Sequence, residues 1–366
     1  MNEQEPTPDN QYISVPCSNC GSEMVYDPKS QGLLCHHCGH TADLPKASNR
    51  IIERSMSEAF SLSNQPTGFA VETKLFHCNN CGAETAVDPD VVHFECPFCN
   101  SKNVNESAFD QKMIRPAGVL PFKITKESAM DAFTSWIGKG FFRPSKLAKA
   151  ARAEGIHGVY LPFWTYDAHT ASNWRAEAGH HYYETESYTD GDGNPQTRQV
   201  QKTRWVSASG YYEQDFDDVL IIASHGLKQK DVDKITPFEF DELVNYDSRF
   251  ILGLESEVYQ KDVHEGYKDA DKVMDAEIRS QIVRRIPGDT HRNLRVNTRK
   301  DNITFKHILL PIWVSAYQFK GKTFRFMVNG QTGKISGKKP TSWGKVIAAI
   351  AIGAGLIGGL IWFLTR

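Results

Sequence analysis

The sequence predicts an α+β protein: two small cysteine-built β units, an antiparallel α+β body with signs of internal duplication, and one C-terminal transmembrane helix. Three observations predict it. A CxxC followed, after fourteen intervening residues, by a second CxxC occurs twice near the start. Beyond about residue 115, stretches of two-residue alternation interleave with four-residue periodicity. Nineteen uncharged residues, Val346 to Leu364, stand near the C-terminus.

Residues 1–14 are polar, contain Pro6 and Pro8, and predict a disordered terminus. Residues 15–44 carry Cys17, Cys20, Cys35 and Cys38; residues 71–105 carry Cys78, Cys81, Cys96 and Cys99, at a constant offset of 61. Their neighbours repeat as well, Asp27-Pro28 matching Asp88-Pro89. One structural unit is used twice. Each CxxC sets two thiolates on a tight turn, with Gly21 and Gly82 following where the backbone needs freedom. The Asp-Pro turn midway predicts a hairpin that returns the second CxxC to the first. Four converging thiolates form a closed, tetrahedral, soft-ligand site that suits zinc, giving two ions per chain.

These sites consume all eight cysteines. Disulfides need an oxidising compartment, and the first residues do not read as a signal peptide. A redox CxxC is expected beside a βαβ pattern, which is absent. An iron–sulfur centre has no special claim on this spacing. Units this small bury little apolar surface, so metal is expected to supply most of their folding energy. His36, His37, His40, His77 and His93 lie close by and read as bystanders. Between the units, over 45–70, Ser48 or Asn49 can cap a short spacer helix with Ile52, Met56 and Phe60 on one face.

The first half of the body is placed at 115–260. Leu120 to Ile124 reads as a strand, and Thr125 caps a helix bearing Ala129, Phe133 and Ile137, stopped by Gly138 and Gly140. A second helix is expected over Ser145 to Glu154. Val159 to Tyr166, Asn173 to Tyr188 and Phe216 to Ser224 read as strands. Asp190 to Pro195 begins like a calcium loop, but Pro195 and Gln201 stand where such a loop needs Gly and Glu, so it reads as a hairpin tip. Lys228 to Tyr246 mixes short helix and loop.

The second half, 261–338, opens with the clearest helix, Glu265 to Ile286. Ala270, Met274, Ile278, Ile282 and Ile286 recur every four residues before Pro287-Gly288. Strands are expected around Leu294 to Thr298, Thr304 to Phe319, Thr323 to Asn329 and Gly333 to Ser336. Leu161-Pro162-Phe163-Trp164 and Leu310-Pro311-Ile312-Trp313 look like counterparts. Either the body is duplicated, or both are ordinary aromatic-rich strand starts.

Within 343–364 the uncharged stretch, at 1.5 Å per residue, makes a helix of roughly 28 Å, close to the ~30 Å of a hydrocarbon core. Trp343 and Trp362 are placed as interfacial anchors. Lys334, Lys338, Lys339 and Lys345 precede it, so the positive-inside rule keeps the N-terminal bulk in the cytoplasm. Ala351, Gly355 and Gly359 form a small-residue stripe on which a homo-oligomer can pack.

The 366-residue chain is 40% hydrophobic and 23% charged, an ordinary globular composition, with a net charge of −2. Residues 1–116 hold eight Lys or Arg against fifteen Asp or Glu. Two filled four-thiolate sites take that segment to about −11, which argues against nucleic acid as the partner of the ribbons. Gly321-Lys322-Thr323 ends like a P-loop, but Ala316 replaces the earlier Gly. HExxH, GxSxG and GxGxxG after a strand are absent, so no enzyme is predicted. The histidines His157, His169, His180, His181, His225, His264, His291 and His307 are scattered, some within conceivable reach of Asp167, Glu177 or Asp217. Tyr160, Trp164, Tyr166, Trp174, Tyr182 and Tyr183 form an aromatic set that reads as packing or, more boldly, as a base-stacking platform.

With the paired CxxC units, Arg115-Pro116-x-Gly118-Val119-Leu120-Pro121-Phe122, Gly158 to Ala168, Thr304 to Pro311, Val328 to Gly333 and the terminal span, the chain resembles bacterial membrane-tethered twin zinc-ribbon proteins. These are labelled TFIIB-type zinc ribbon-containing or primosomal helicase-like. The missing P-loop and the acidic front contradict a helicase. The resemblance implies a membrane adaptor working beside phage-shock or SPFH (flotillin-like) proteins. The sequence therefore predicts a tail-anchored, cytoplasm-facing zinc-binding adaptor. The alternatives are a nucleic-acid-binding ribbon protein of the TFIIB type and, third, a membrane-bound enzyme.

Overall fold

The computed structural model describes residues 14–44, 51–59, 61, 74–87, 94–99, 101–107, 113–147 and 155–365. Its α+β architecture comprises two four-cysteine β units, a large sheet body and a long apolar C-terminal helix. The first unit is its own small sheet of β1 (Val25–Asp27), β2 (Gly32–Leu34) and β3 (Thr41–Ala42). Its turn forms because the Asp27 carboxylate accepts from the Lys29 and Ser30 amides, with Gln31 at φ 56°.

The expected spacer helix is not formed at its start, and the described Ala59 and Ser61 are helical. Ile51 to Glu53 are irregular, β4 (Arg54–Ser55) pairs with a strand of the body, and Met56–Glu58 make one 3-10 turn. Ile52 is exposed, while Met56 packs toward Trp164 and Phe305. Strand pairing has overridden the helical period at Arg54 and Ser55 only. Ser48, Asn49 and Phe60 lie outside the described residues.

The second unit, β5 (Lys74–Cys78), β6 (Glu84–Val87) and β7 (Val104–Ser107), extends the body sheet itself. Asp88-Pro89 falls outside the described residues. The body follows as β8 (Gly118–Val119), α1 (Lys126–Gly138), β9 (His157–Thr189), β10 (Pro195–Ile222), β11 (Val244–Asn245), β12 (Glu255–Glu257), α2 (Val263–Val283), β13 (Thr290–Phe319), β14 (Lys322–Asn329) and β15 (Ile335–Gly337). Along the sheet the order is β11-β8-β13-β9-β12-β6-β5-β7, with β10 also on β9 and β14 on β13. The strand expected at Leu120 to Ile124 is irregular, and the regular pairing there, β8, ends just before it at Val119. Of the helix expected over Ser145 to Glu154, residues 148–154 lie outside the description.

The strands expected separately at Val159 and Asn173 are one strand of 33 residues, β9. The segments at Leu294 and Thr304 likewise merge into β13, 30 residues long, with register shifts between Arg292 and Arg295 and between Asp301 and Thr304. Asn293 and Asn302, at φ 54° and 52°, sit in those shifts. Bulges let a strand bend and continue where the polar sequence reads as a break. Beyond Gly179, where pairing with β13 ends, β9 and β10 run on as a two-stranded arm to the tip at Asp190 to Asn194. There the Asp190 carboxylate accepts from the Asp192 and Asn194 amides, as a hairpin turn requires.

The body repeats itself. Each half contains a short strand, a helix, and a long strand that turns back in a hairpin: β8, α1, β9 and β10, then β12, α2, β13 and β14. The short strands are exchanged. β8 runs parallel to β13 of the other half (Gly118 opposite Ile308), and β12 parallel to β9 (Glu255 opposite Val159). Leu161 and Leu310, of the two Leu-Pro-aromatic/aliphatic-Trp runs, face each other directly across the β9–β13 pairing.

The helix starts are exchanged too. The Trp313 indole donates to the Ile124 carbonyl, just before the α1 cap Thr125, at 2.8 Å. The Trp164 indole donates to the Lys261 carbonyl, just before the α2 cap Asp262, also at 2.8 Å. Phe122 packs edge-on against Trp313 and Tyr259 tilts against Trp164, each pair with centroids 5.1 Å apart.

Helix α2 lies along the long strands, burying Ala270 and Met274 near Trp164 and Tyr166, and Ile278 and Ile282 against Trp174 and Ala176. Gly266 permits this approach: a Cβ there would lie 2.8 Å from Trp164 Cδ1 and nearer still to the Tyr166 hydroxyl. Gly266→Ala is therefore expected to lower stability by about 1–3 kcal/mol through overpacking. Thermal melting of the full-length protein in detergent checks this; an unchanged midpoint would contradict the close α2 contact.

Candidate metal centres

In each β unit the chain reverses tightly after a cysteine pair. The Gly21 amide donates to the Cys17 carbonyl and the Gly82 amide to the Cys78 carbonyl, both at 2.8 Å, and both glycines have φ 77°. Gly39 repeats the turn after Cys38, with its amide on the Cys35 carbonyl at 2.9 Å. Such turns bring the paired sulfurs together, and the Asn19 amide donates to Cys17 Sγ at 3.4 Å.

The structure brings together Cys17, Cys20, Cys35 and Cys38, and separately Cys78, Cys81, Cys96 and Cys99, each set with its sulfurs within 4.8 Å of one another. Cys17 to Cys38 is 3.6 Å and Cys20 to Cys35 is 3.5 Å; Cys78 to Cys99 and Cys81 to Cys96 are each 3.6 Å. Four Zn–S bonds of about 2.3 Å in a tetrahedron put sulfurs about 3.8 Å apart. All eight cysteines are free thiols. Donor type, number and spacing thus fit a divalent soft metal, zinc above all, with no position open to a substrate.

No histidine joins either group among the described residues. His40 Nε2 lies 3.1 Å from the Ser18 hydroxyl, and His77 Nδ1 lies 3.3 Å from Glu84. His93 lies outside the described residues.

The two centres differ in their setting. The first rests on a small cluster of Met24 and Leu33, with Cys20 and Cys38 exposed. Its firmest tie to the body is Tyr26, whose hydroxyl donates to the Phe122 carbonyl at 2.9 Å and whose ring packs on Phe250. The second is part of the main core. Cys78 and Cys96 are buried in one cluster with Phe98, Val159, Leu161 and Leu227, and β6 pairs with β12 (Ser256 opposite Ala86).

Other groups meet differently from what the sequence implies. Glu177 binds Arg292 (2.7 Å) and Asn293, not a histidine. Asp167, Asp217 and Asp218 cluster, but Asp167 accepts from Thr304 and from the Asp218 amide, and the buried Lys306 takes Asp218 at 2.7 Å and Glu53 at 3.0 Å. A buried ammonium already supplies the positive charge there.

Sequence reading missed Glu257, fully enclosed beneath the second unit, where Ser224 donates to it at 2.8 Å and burial pushes its pKa up to about 8. His307 is likewise enclosed: its Nδ1 donates to the Ile114 carbonyl and burial pulls its pKa down to about 4. Of the aromatic set, Tyr160, Trp164, Tyr166 and Trp174 are core, while Tyr182 and Tyr183 are exposed on the arm. They make no common platform.

No family model matches the chain, and no solved structure matches it. The chain is similar to the uncharacterized protein YdjG of Bacillus subtilis (strain 168), 29% identical over 351 residues that cover 95% of each chain. The likeness therefore covers nearly the whole chain. What stands from the resemblance is the pair of four-cysteine groups, consistent with zinc ribbons.

The different settings predict different mutational costs. Cys17→Ser and Cys78→Ser should each lower bound zinc from two to one per chain. Cys78→Ser should cost the body about 3 kcal/mol or more, because it opens the main core, and Cys17→Ser about 1 kcal/mol. Metal analysis with thermal melting of the full-length variants checks this; equal costs would contradict the fused second ribbon.

Proposed function

We propose that this protein is a membrane-held zinc-binding adaptor, its bulk at the cytoplasmic face, whose ribbons and body dock protein partners. One observation carries the reading: helix α3 (Trp343–Leu364), 22 residues with an 18-residue stretch of mean hydropathy 2.3, has no buried residue. A core helix would be enclosed by its own protein; this one offers its whole apolar surface to a surrounding medium, as a span does. The closed cysteine sites support a structural role for the metal, since nothing is left open for chemistry. Reduced thiolates agree with a cytoplasmic location.

The lysines ahead of α3 support the same orientation. A Cβ at Gly355 or Gly359 would meet nothing within 4 Å, so the Ala351, Gly355 and Gly359 stripe is free to pack against another span. Phage-shock and SPFH-type proteins are the partner class that the resemblance supports, and no catalytic role is proposed.

A second reading, nucleic-acid contact, is favoured by one feature. Arg175 and Arg295 stand directly opposite each other on the exposed sheet face, beside Asn173 and Asn297. Like charges in that position destabilise a sheet unless an anion joins them.

Cell fractionation with crosslinking separates the readings. The full chain should stay in carbonate-washed membranes, be cut by protease only from the cytoplasmic side, and capture the same proteins by crosslinking in repeated preparations. Recovery in the soluble fraction would contradict anchoring. Nucleic-acid binding with steep salt dependence, lost in R175S/R295S, would favour the second reading.

A further inference from the structure

The turn after α1 carries two adjacent, strongly exposed phenylalanines, Phe141 at 74% and Phe142 at 46%. Exposed aromatic pairs cost solubility, and nothing in the fold of the body requires them. Their position is tied to α3. The Ser342 amide, at the residue that precedes α3, donates to the Phe142 carbonyl at 2.7 Å, and the Lys345 ammonium donates to the Phe141 carbonyl at 3.3 Å. Lys339 donates to the Trp136 and Lys139 carbonyls and lies over the Trp136 ring, 4.1 Å from its centroid. The turn is thus level with the start of the apolar helix, where Trp343 is also exposed.

Charge points the same way. Residues 136–147 and 338–345 contain Lys139, Arg143, Lys146, Lys338, Lys339 and Lys345 and no Asp or Glu, in a protein of net charge −2. Among the described residues none of the six has a carboxylate partner in an ion pair. Burial first, and then the neighbouring Arg143 and Lys139, hold Lys339 below the usual lysine range.

We propose that the 139–147 turn is a second membrane contact: Phe141 and Phe142 enter the interface of an anionic bilayer, and the surrounding cations meet its phosphate headgroups. This rests on α3 spanning that bilayer. An aromatic wedge ringed by Lys and Arg is the chemistry that interfacial binding uses, each cation adding attraction to anionic lipid. With α3 it makes two points of attachment, which fix how the body stands on the membrane rather than leaving it to swing on one helix.

Photo-crosslinkable phosphatidylglycerol in vesicles holding the full-length protein, read by peptide mass spectrometry, tests this. Labelling is expected on peptides from 139–147 as well as on α3. F141S/F142S should lose turn labelling several-fold while α3 labelling and the melting temperature hold. Vesicles of phosphatidylcholine carrying the same photoreactive group should label the turn several-fold less. Labelled α3 with an unlabelled turn in the wild-type protein would overturn this inference and leave the anchor standing. Neither labelled would overturn both.

Discussion

Neither half of the body can complete its own helix start. The indole that binds the carbonyl before α1 comes from β13, and the one that binds the carbonyl before α2 comes from β9. The short strand of each half likewise finds its parallel partner in the other. A buried carbonyl without a donor costs roughly 1–3 kcal/mol, so each half alone would carry unpaid backbone groups at the head of its helix and along its edge strand. This reciprocity binds residues 97 and 189 positions apart into one unit, and the other features hang from it.

The ribbons illustrate that dependence. At the first half, the outer edge of β8 is covered by β11; at the second half the equivalent edge of β12 is covered by β6 of the second ribbon. One cysteine unit has become a strand of the body, and its thiolates share a core with β9. The other, nearly the same in sequence, remains a satellite joined by Tyr26 and its neighbours. Metal at the second centre would therefore organise the sheet edge, while metal at the first would organise mainly its own hairpin. At the far end, the turn of α1 and the start of α3 are held together by backbone and lysine hydrogen bonds, so the duplicated body is joined to the apolar helix by more than its connecting segment.

Much of this was legible in the residues. The cysteine spacing named both metal groups, because four soft donors on two tight turns have few other uses. The four-residue rhythm of Ala270, Met274, Ile278 and Ile282 located α2, and the uncharged run located α3. The matching of Leu161 to Trp164 with Leu310 to Trp313 hinted at the duplication. Its exchanged geometry was not readable, since periodicity says which face is apolar and not which partner covers it. Strand lengths were misread for a related reason. Asp167 and Asn302 look like breaks, yet one is satisfied by Thr304 and the Asp218 amide and the other sits in a bulge, so the strands run on. Buried Glu257 and His307 left no sequence signal, because neither belongs to a motif.

The chain is expected to hold two closed four-thiolate zinc centres, one within the core of the body and one beside it, and X-ray absorption at the zinc edge of anaerobically purified full-length protein tests this most directly. Two zinc per chain are expected, each with four sulfurs at about 2.3 Å and no lighter ligand. Fewer than two ions, or nitrogen or oxygen in the coordination shell, would contradict it.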